Sequence, residues 1–244
     1  MNDWRNVWNN KATAGFILED ENPEIVFMEL KRAMGVSKIG DKETISYKDF
    51  YNQFMDLYKE LTIFNDTTFK PKSFFDVGCG TGGYLYLLSK LNSDFVLGGI
   101  DYSLPFIKIA SQILPKAKEL FCGDATQINL DTQYDCVYSR SIFQYFPDKM
   151  YAKSVLDKML SKARYSVGVF DIHDLSKKDD FLSYRKSIIT DYDTKYDDNS
   201  HLFFDRDFFS MIAEEKKCKI KFSRISLPNY WNSAFTYDVF FYKK

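Results

Sequence analysis

The stretch Phe74-Phe75-Asp76-Val77-Gly78-Cys79-Gly80-Thr81-Gly82-Gly83 constrains this chain more than any other. An apolar run with strand character delivers an acid two residues before a glycine-rich turn, and Tyr84, Leu85, Leu87 and Leu88 then open a helix. Gly78 and Gly80 reach backbone angles closed to residues with a Cβ, so the chain reverses tightly and brings its amides against a ligand. Strand, glycine turn and helix in that order begin a doubly wound α/β fold.

Gly78-x-Gly80-x-x-Gly83 also satisfies the dinucleotide fingerprint, which leaves a nicotinamide or flavin ligand open. Asp76 weighs against it, because a carboxylate beside the turn repels a pyrophosphate and attracts a ligand bearing an ammonium and a sulfonium. S-adenosylmethionine is such a ligand. The chain resembles the class I S-adenosylmethionine-dependent methyltransferases, whose first motif, Asp-x-Gly-x-Gly-x-Gly, is matched by Asp76, Gly78, Gly80 and Gly82, with Cys79 inside the turn. Three further positions carry the resemblance. Val96-Leu97-Gly98-Gly99-Ile100-Asp101 ends in the acid that, in the family, grips the ribose, and Tyr102 is expected to cover an adenine face. The resemblance places Asp124 near the adenine amino group and the Ala125 amide near the ring nitrogens. It also places the end of the strand Tyr134–Tyr138, with Ser139 and Arg140, beneath the sulfonium. A nicotinamide-binding or non-catalytic S-adenosylmethionine-binding module remains the alternative.

At 244 residues the chain suits one sizeable α/β domain with additions. Its 33 basic and 34 acidic residues leave a net charge of -1, with no basic tract, which argues against nucleic acid as a partner. No apolar stretch approaches the roughly 20 residues of a membrane span, and Met1 to Arg5 does not open a signal peptide. A cytoplasmic monomer or homodimer without a membrane partner is expected. Cys79, Cys122, Cys136 and Cys218 lack metal or redox spacing and read as reduced apolar residues.

Residues 1–72 read as an amino-terminal helical cap, with helices over Pro23 to Gly35 and Ser46 to Phe64, the second presenting Phe50, Phe54, Leu57, Tyr58 and Leu61 on one face. Residues 73–244 read as the cofactor-binding core. Strands are expected near 73–77, 95–100, 118–122, 134–138 and 165–171, with helices between. An insertion at about 173–204, polar and acidic, reads as a substrate lid, and a helix is expected from about Asp205 to Lys216. Lys219 to Leu227 and Ala234 to Tyr242 read as two strands joined by too short a link for a parallel crossover, hence antiparallel. The implied architecture is a Rossmann-like, seven-stranded sheet of order 3-2-1-4-5-7-6 with strand 7 antiparallel.

Methyl transfer to a hydroxyl requires a general base, whereas a neutral amine needs less help. His173, directly after the fifth strand, and His201 are the candidates. The motif Asp3-Trp4-x-x-x-Trp8-Asn9-x-Lys11, the run from His201 to Phe209 and Pro228-Asn-Tyr230-Trp-Asn232-Ser look similar to small methyltransferases of bacterial surface-polysaccharide (capsule) biosynthesis. That likeness implies a small-molecule acceptor (a sugar, nucleotide sugar or phosphate-type metabolite) methylated on a hydroxyl or phosphate-type oxygen, with Trp8, Tyr184, Arg185, Tyr230 and Asn232 in the pocket. Phe235-Thr236-Tyr237 stands where related chains often carry an arginine. An amine or protein acceptor is the alternative. Asp191-x-Asp193-x-Lys195-x-Asp197-Asp198 lacks the glycine and glutamate of a calcium loop, and no metal site is assigned.

Overall fold

Alternate side chains along β1 (Ser73–Val77) go to opposite faces of the sheet. Phe74 joins one apolar core with Cys136, Tyr138, Phe170 and Phe240; Phe75 and Val77 join another with Val137, Val167, Val169 and Phe241. The structure is a computed structural model and describes Trp4, Trp8 and residues 22–35, 45–63, 70–196 and 201–243. Asp3, Asn9 and Lys11 of the amino-terminal motif, and Asp197 and Asp198 of the acidic run, lie outside the described residues.

The remaining strands are β2 (Val96–Asp101), β3 (Glu119–Cys122), β4 (Tyr134–Arg140), β5 (Ala163–His173), β6 (Lys219–Ser223) and β7 (Thr236–Tyr242). Their order is β3-β2-β1-β4-β5-β7-β6. The pairs among β1 to β5 are parallel, and β7 runs antiparallel to both neighbours, as the sequence implied. Burial runs the whole length of β1 and all but the last residue of β4, as expected of strands covered on both faces.

On the first face lie α1 (Pro23–Ala33), α2 (Tyr47–Leu61) and α3 (Gly83–Leu91); the second face carries α5 (Lys149–Lys162) and α8 (Arg206–Glu215), while α4 (Leu104–Ile113) lies beside β2 and β3. Asn22 caps α1 ahead of Pro23, and Ser46 with Asp49 forms a capping box on α2. The expected face of α2 is buried at Phe50, Phe54, Leu57 and Leu61. Gln53 Nε2 donates to Ile225 O at 2.9 Å and Ser166 Oγ to Leu61 O at 2.7 Å, so this helix is bound into the sheet's own core.

Between β5 and α8 the chain forms a short 3-10 turn at Leu175–Lys177, then α6 (Lys178–Ile188) and α7 (Tyr192–Tyr196). Both terminal strands are shorter than the sequence implied. The carboxylate of Asp238 captures the Ile225 amide at 2.8 Å, Pro228 has no amide to give, and Trp231–Phe235 coils into a 3-10 turn.

Candidate active site

The glycine turn leaves β1 with Gly78, Gly80 and Gly82 at φ of 79°, 54° and 81°. Gly78 and Cys79 donate their amides to Ile100 O at 2.7 and 3.1 Å, strapping the turn to the end of β2. At φ of 54° Gly80 holds a conformation that favours glycine, and a Cβ there would stand 2.6 Å from Cε of Met34, whose flexible tip would have to move aside. Thr81 Oγ1 donates to Leu30 O at 3.1 Å and fixes α1 against the turn.

Two acids flank this turn. Asp76 is 4% exposed and its Oδ1 has no hydrogen-bond partner. Burial pushes its carboxyl up to about 7, against the opposing pull of Lys31 and of the Tyr138 hydroxyl. Asp101 accepts from the Gly80 amide at 2.8 Å and from the Ser103 amide at 2.9 Å. Burial holds it at about 6 in spite of those two bonds.

Of the other expected cofactor residues, Tyr102 donates its hydroxyl to Trp4 O at 3.2 Å. Asp124 caps the 3-10 turn Ala125–Gln127, accepting from Thr126 N at 2.9 Å, and receives the Tyr151 hydroxyl. Ser139 is fully buried at the end of β4 with an unpartnered hydroxyl, and Arg140 donates to Gln53 Oε1 at 2.8 Å.

The ends of β4 and β5 are strained together. Ser141 and Asp171 both adopt left-handed backbone, at φ of 57° and 60°, and the Ser141 hydroxyl donates to Asp171 Oδ2. The pairing of β5 with β7 shifts register between Val169 and Ile172, the local bulge that turns Asp171 out of the ladder. Its amide donates to Asp238 Oδ1 at 3.0 Å, and burial lifts the Asp238 carboxyl to about 7. Tyr230 stands beside these acids; burial first and Asp171 second raise its hydroxyl.

Above lies an aromatic wall. His173 and His201 have ring centroids 5.1 Å apart, with Phe181 at 4.7 Å and Phe203 at 5.2 Å from His173. Trp4 and Tyr145 stand 4.9 and 5.4 Å from His201, and Trp8 packs edge-on to Tyr145 at 5.4 Å. Tyr184 stacks on Trp231 at 5.5 Å, and the Arg185 guanidinium lies 5.0 Å from that indole. The expected acceptor residues Trp8, Tyr184, Arg185, Tyr230 and Asn232 are thus gathered with both histidines around one region. Burial depresses His173 to about 3, opposed by Asn232, and holds His201 well below its ordinary value. Both are neutral imidazoles at pH 7.

Lys31, Gln53, Tyr84 and Asp238 also lie in this region; Tyr84 directly follows the glycine turn in sequence, whereas the other three carry no local motif.

Residues 74–164 match the family model described as a methyltransferase domain. Malonyl-[acyl-carrier protein] O-methyltransferase of Priestia megaterium (strain DSM 319 / IMG 1521) is 32% identical over 72 residues, covering 29% of this chain and 26% of that protein. The match therefore spans about a quarter of that relative's length. Among solved structures, the plantazolicin methyltransferase BpumL with S-adenosylhomocysteine and a pentazolic desmethyl analogue superposes with a TM-score of 0.60 at 19% identity, over 81% of this chain and 85% of that one. Magnesium protoporphyrin IX methyltransferase from Synechocystis PCC 6803, with bound S-adenosylhomocysteine, gives 0.58 at 12% identity, over 91% and 100%.

Sheet order, glycine turn and paired acids define the class I S-adenosylmethionine-dependent methyltransferase fold. The match to the methyltransferase-domain model over residues 74–164 falls within that fold, from β1 to the start of β5. S-adenosylmethionine is the methyl donor of the class, and the residues fit it: Asp76 Oδ1 is a buried acceptor without a donor, the turn is narrow enough for a close approach, and both flanking acids suit a cationic ligand. Among the described residues no helix is long and apolar enough to cross a membrane.

Proposed function

We propose that this protein methylates an oxygen of a small-molecule acceptor, a hydroxyl or phosphate-type oxygen, held beneath the aromatic wall at the ends of β4 and β5. The observation that carries the reading is the Ser141–Asp171 pair, a buried carboxylate turned out of its strand beside Arg140, which in turn faces Asp76 at the glycine turn. The bound cofactor supplies an electrophilic methyl group on its sulfonium. Asp171 takes the proton of the acceptor hydroxyl, and the Ser141 hydroxyl orients the carboxylate. The aromatic side chains keep water from the transfer path and fix the acceptor's approach. In this reading His173 and His201 are walls of the pocket rather than bases, because both rings are enclosed among Phe181, Phe203, Trp4 and Tyr145. In this reading α1, fixed against the glycine turn, serves as a cap over the cofactor, and α6 with α7 borders the acceptor.

A sugar or nucleotide-sugar acceptor of capsule biosynthesis has support from the sequence likeness alone. The relatives' names give malonyl-[acyl-carrier protein], plantazolicin and magnesium protoporphyrin IX, and none of them names a sugar. The proposal therefore stops at the acceptor atom. The test is methyl transfer from labelled S-adenosylmethionine to a panel of hydroxyl, carboxyl, phosphate and amine acceptors, with Asp171→Asn beside the wild type. Products from oxygen acceptors, lost in the variant while cofactor binding persists, support the reading. Transfer to amines alone, undiminished in Asp171→Asn, overturns it.

A further inference from the structure

Arg140 is the last residue of β4, and two side chains hold its guanidinium. Nη2 donates to Gln53 Oε1 at 2.8 Å, and Cζ lies 4.9 Å from the centroid of the Tyr84 ring. The Tyr84 hydroxyl donates to the same Gln53 oxygen at 3.2 Å, and Gln53 Nε2 donates to Ile225 O. Nε of Arg140 is nevertheless buried without a hydrogen-bond partner, and among the described residues the guanidinium makes no ion pair. An enclosed donor left open costs stability unless a ligand completes it. Being held already, this one gives up little further freedom when it meets a ligand.

Its place in the sheet lies between the cofactor's acid and the proposed base. β4 pairs Arg140 with Phe170, one residue before Asp171, and the next residue, Ser141, donates its hydroxyl to Asp171 Oδ2. On the other side, β1 pairs Asp76 with Tyr138, two residues before Arg140 and on the same face of β4. Burial opposes the guanidinium's charge, while Tyr84, Asp171, Tyr230 and Asp238, in that order, sustain it. An oxygen that gives its proton to Asp171 gains negative charge, and a cationic donor fixed beforehand meets that charge as it develops.

We infer that Arg140 is a catalytic donor: its Nε hydrogen-bonds to the acceptor oxygen opposite Asp171 and stabilises the negative charge that grows there during methyl transfer. The inference rests on the proposed oxygen acceptor and deepens it. The acceptor's O–H bond breaks and its proton passes to Asp171. The oxygen's electron pair forms the bond to the methyl carbon, and the pair of the broken carbon–sulfur bond stays on sulfur as a neutral thioether. Arg140 keeps its own proton throughout. Its charge favours transfer from the donor side as well, because a cation is repelled by a sulfonium and not by a thioether. Gln53 is a positioning residue, acting through the guanidinium that it holds.

The test pairs a binding measurement with a rate, both on the full chain. Calorimetry compares S-adenosylmethionine with S-adenosylhomocysteine, which differ by the charged methyl group. Arg140→Gln should strengthen the first relative to the second several-fold. With the oxygen acceptor that the labelled panel identifies, it should lower kcat by roughly 10²- to 10³-fold and leave acceptor KM within about threefold. Arg140→Lys, which keeps the charge and loses the planar donor, should restore the ligand ratio and only part of kcat. A merely structural arginine changes both affinities equally in Arg140→Gln and keeps kcat within about tenfold, which overturns the inference. A wild-type kcat in Arg140→Lys overturns it too, even where Arg140→Gln does not fold. Loss of activity in Asp171→Asn but not in Arg140→Gln removes the inference alone. Retained activity in Asp171→Asn, or a wild type that methylates no oxygen acceptor, removes the proposed function and the inference with it.

Discussion

The Gly80 amide donates a 2.8 Å hydrogen bond to Asp101 Oδ2, so the acid at the end of β2 holds the glycine turn at the end of β1 in place. A second amide, Ser103, takes the other oxygen at 2.9 Å. The residue expected to grip a ribose thus first shapes the loop under it, with lone pairs left over for hydroxyl donors.

Asp101→Ala should therefore act on both levels. Ligand-free protein loses about 1 to 3 kcal/mol, because two enclosed amides lose their acceptor, and a domain of this size shows that as a fall in Tm of several degrees. Affinity for adenosine ligands should drop by roughly tenfold or more. Differential scanning calorimetry with and without S-adenosylhomocysteine checks both. A variant with the Tm of the wild type removes the strap, and one with intact affinity removes the ribose contact.

Protonation of the two acids couples cofactor affinity to pH. Asp76 is raised to about 7 and Asp101 to about 6, both chiefly by burial. A raised carboxyl means that the folded protein holds a proton the unfolded chain has released; stability from this source is present at low pH and is lost as pH rises from about 4 to about 7. A ligand with an ammonium reverses the balance, since it favours the ionised Asp76. Affinity for S-adenosylhomocysteine should rise between pH 5.5 and 8, with proton release measurable by calorimetry in buffers of different ionisation enthalpy. Asp76→Asn should flatten that dependence; an unchanged slope assigns the proton elsewhere, to Asp101, Asp238 or Lys31.

Ligand choice tests the reading of Asp76 more bluntly. S-adenosylhomocysteine at about 100 times its Kd adds about 2.7 kcal/mol and should shift Tm by roughly 5 to 10 °C. NAD and NADP at the same concentration should leave Tm in place, because the carboxylate beside the turn repels a pyrophosphate. A shift with the nicotinamides alone overturns the assignment.

What the sequence discloses and withholds follows from distance along the chain. Asp76, the glycine turn and the start of α3 are contiguous, and their conformations are set by local sterics, so ten residues suffice to predict the strand, turn and helix start. Antiparallel β7 is legible because the link read from the sequence, Pro228 to Ser233, is too short for a parallel crossover. Asp238 and Lys31 are not legible: one approaches Asp171 only because β7 inserts between β5 and β6, and the other only because α1 packs on the glycine turn. The histidines show a third case. That one lies at the end of β5, as its last residue rather than just beyond it, and the other before α8 is close to what the sequence shows, but their surroundings are Phe181, Phe203, Trp4 and each other, none of which periodicity brings together.

Lys217 offers a stability test remote from the site. It follows α8 in left-handed backbone at φ of 55°, the position glycine prefers after a helix, while Cys218 N reaches Ala213 O at 2.9 Å. Lys217→Gly should relieve about 1 kcal/mol of backbone strain and raise Tm by a few degrees. A lower Tm places the strain elsewhere.

His173 decides between base and wall. A base depressed by burial stabilises the fold above its unfolded pKa of about 6.5, and that stability is lost as pH falls from there toward the folded value of about 3. His173→Phe, in a nest of Phe181 and Phe203, removes the loss, so its Tm should fall less than that of the wild type between pH 7 and 5. Removing a true general base lowers kcat by about 10²- to 10⁴-fold, whereas removing a wall residue leaves kcat within about tenfold and shows mainly in acceptor KM. The expected outcome for His173→Phe is the second, together with a larger loss for Asp171→Asn under the same conditions. The opposite ranking returns the proton to His173 and leaves Asp171 a structural acid of the bulge.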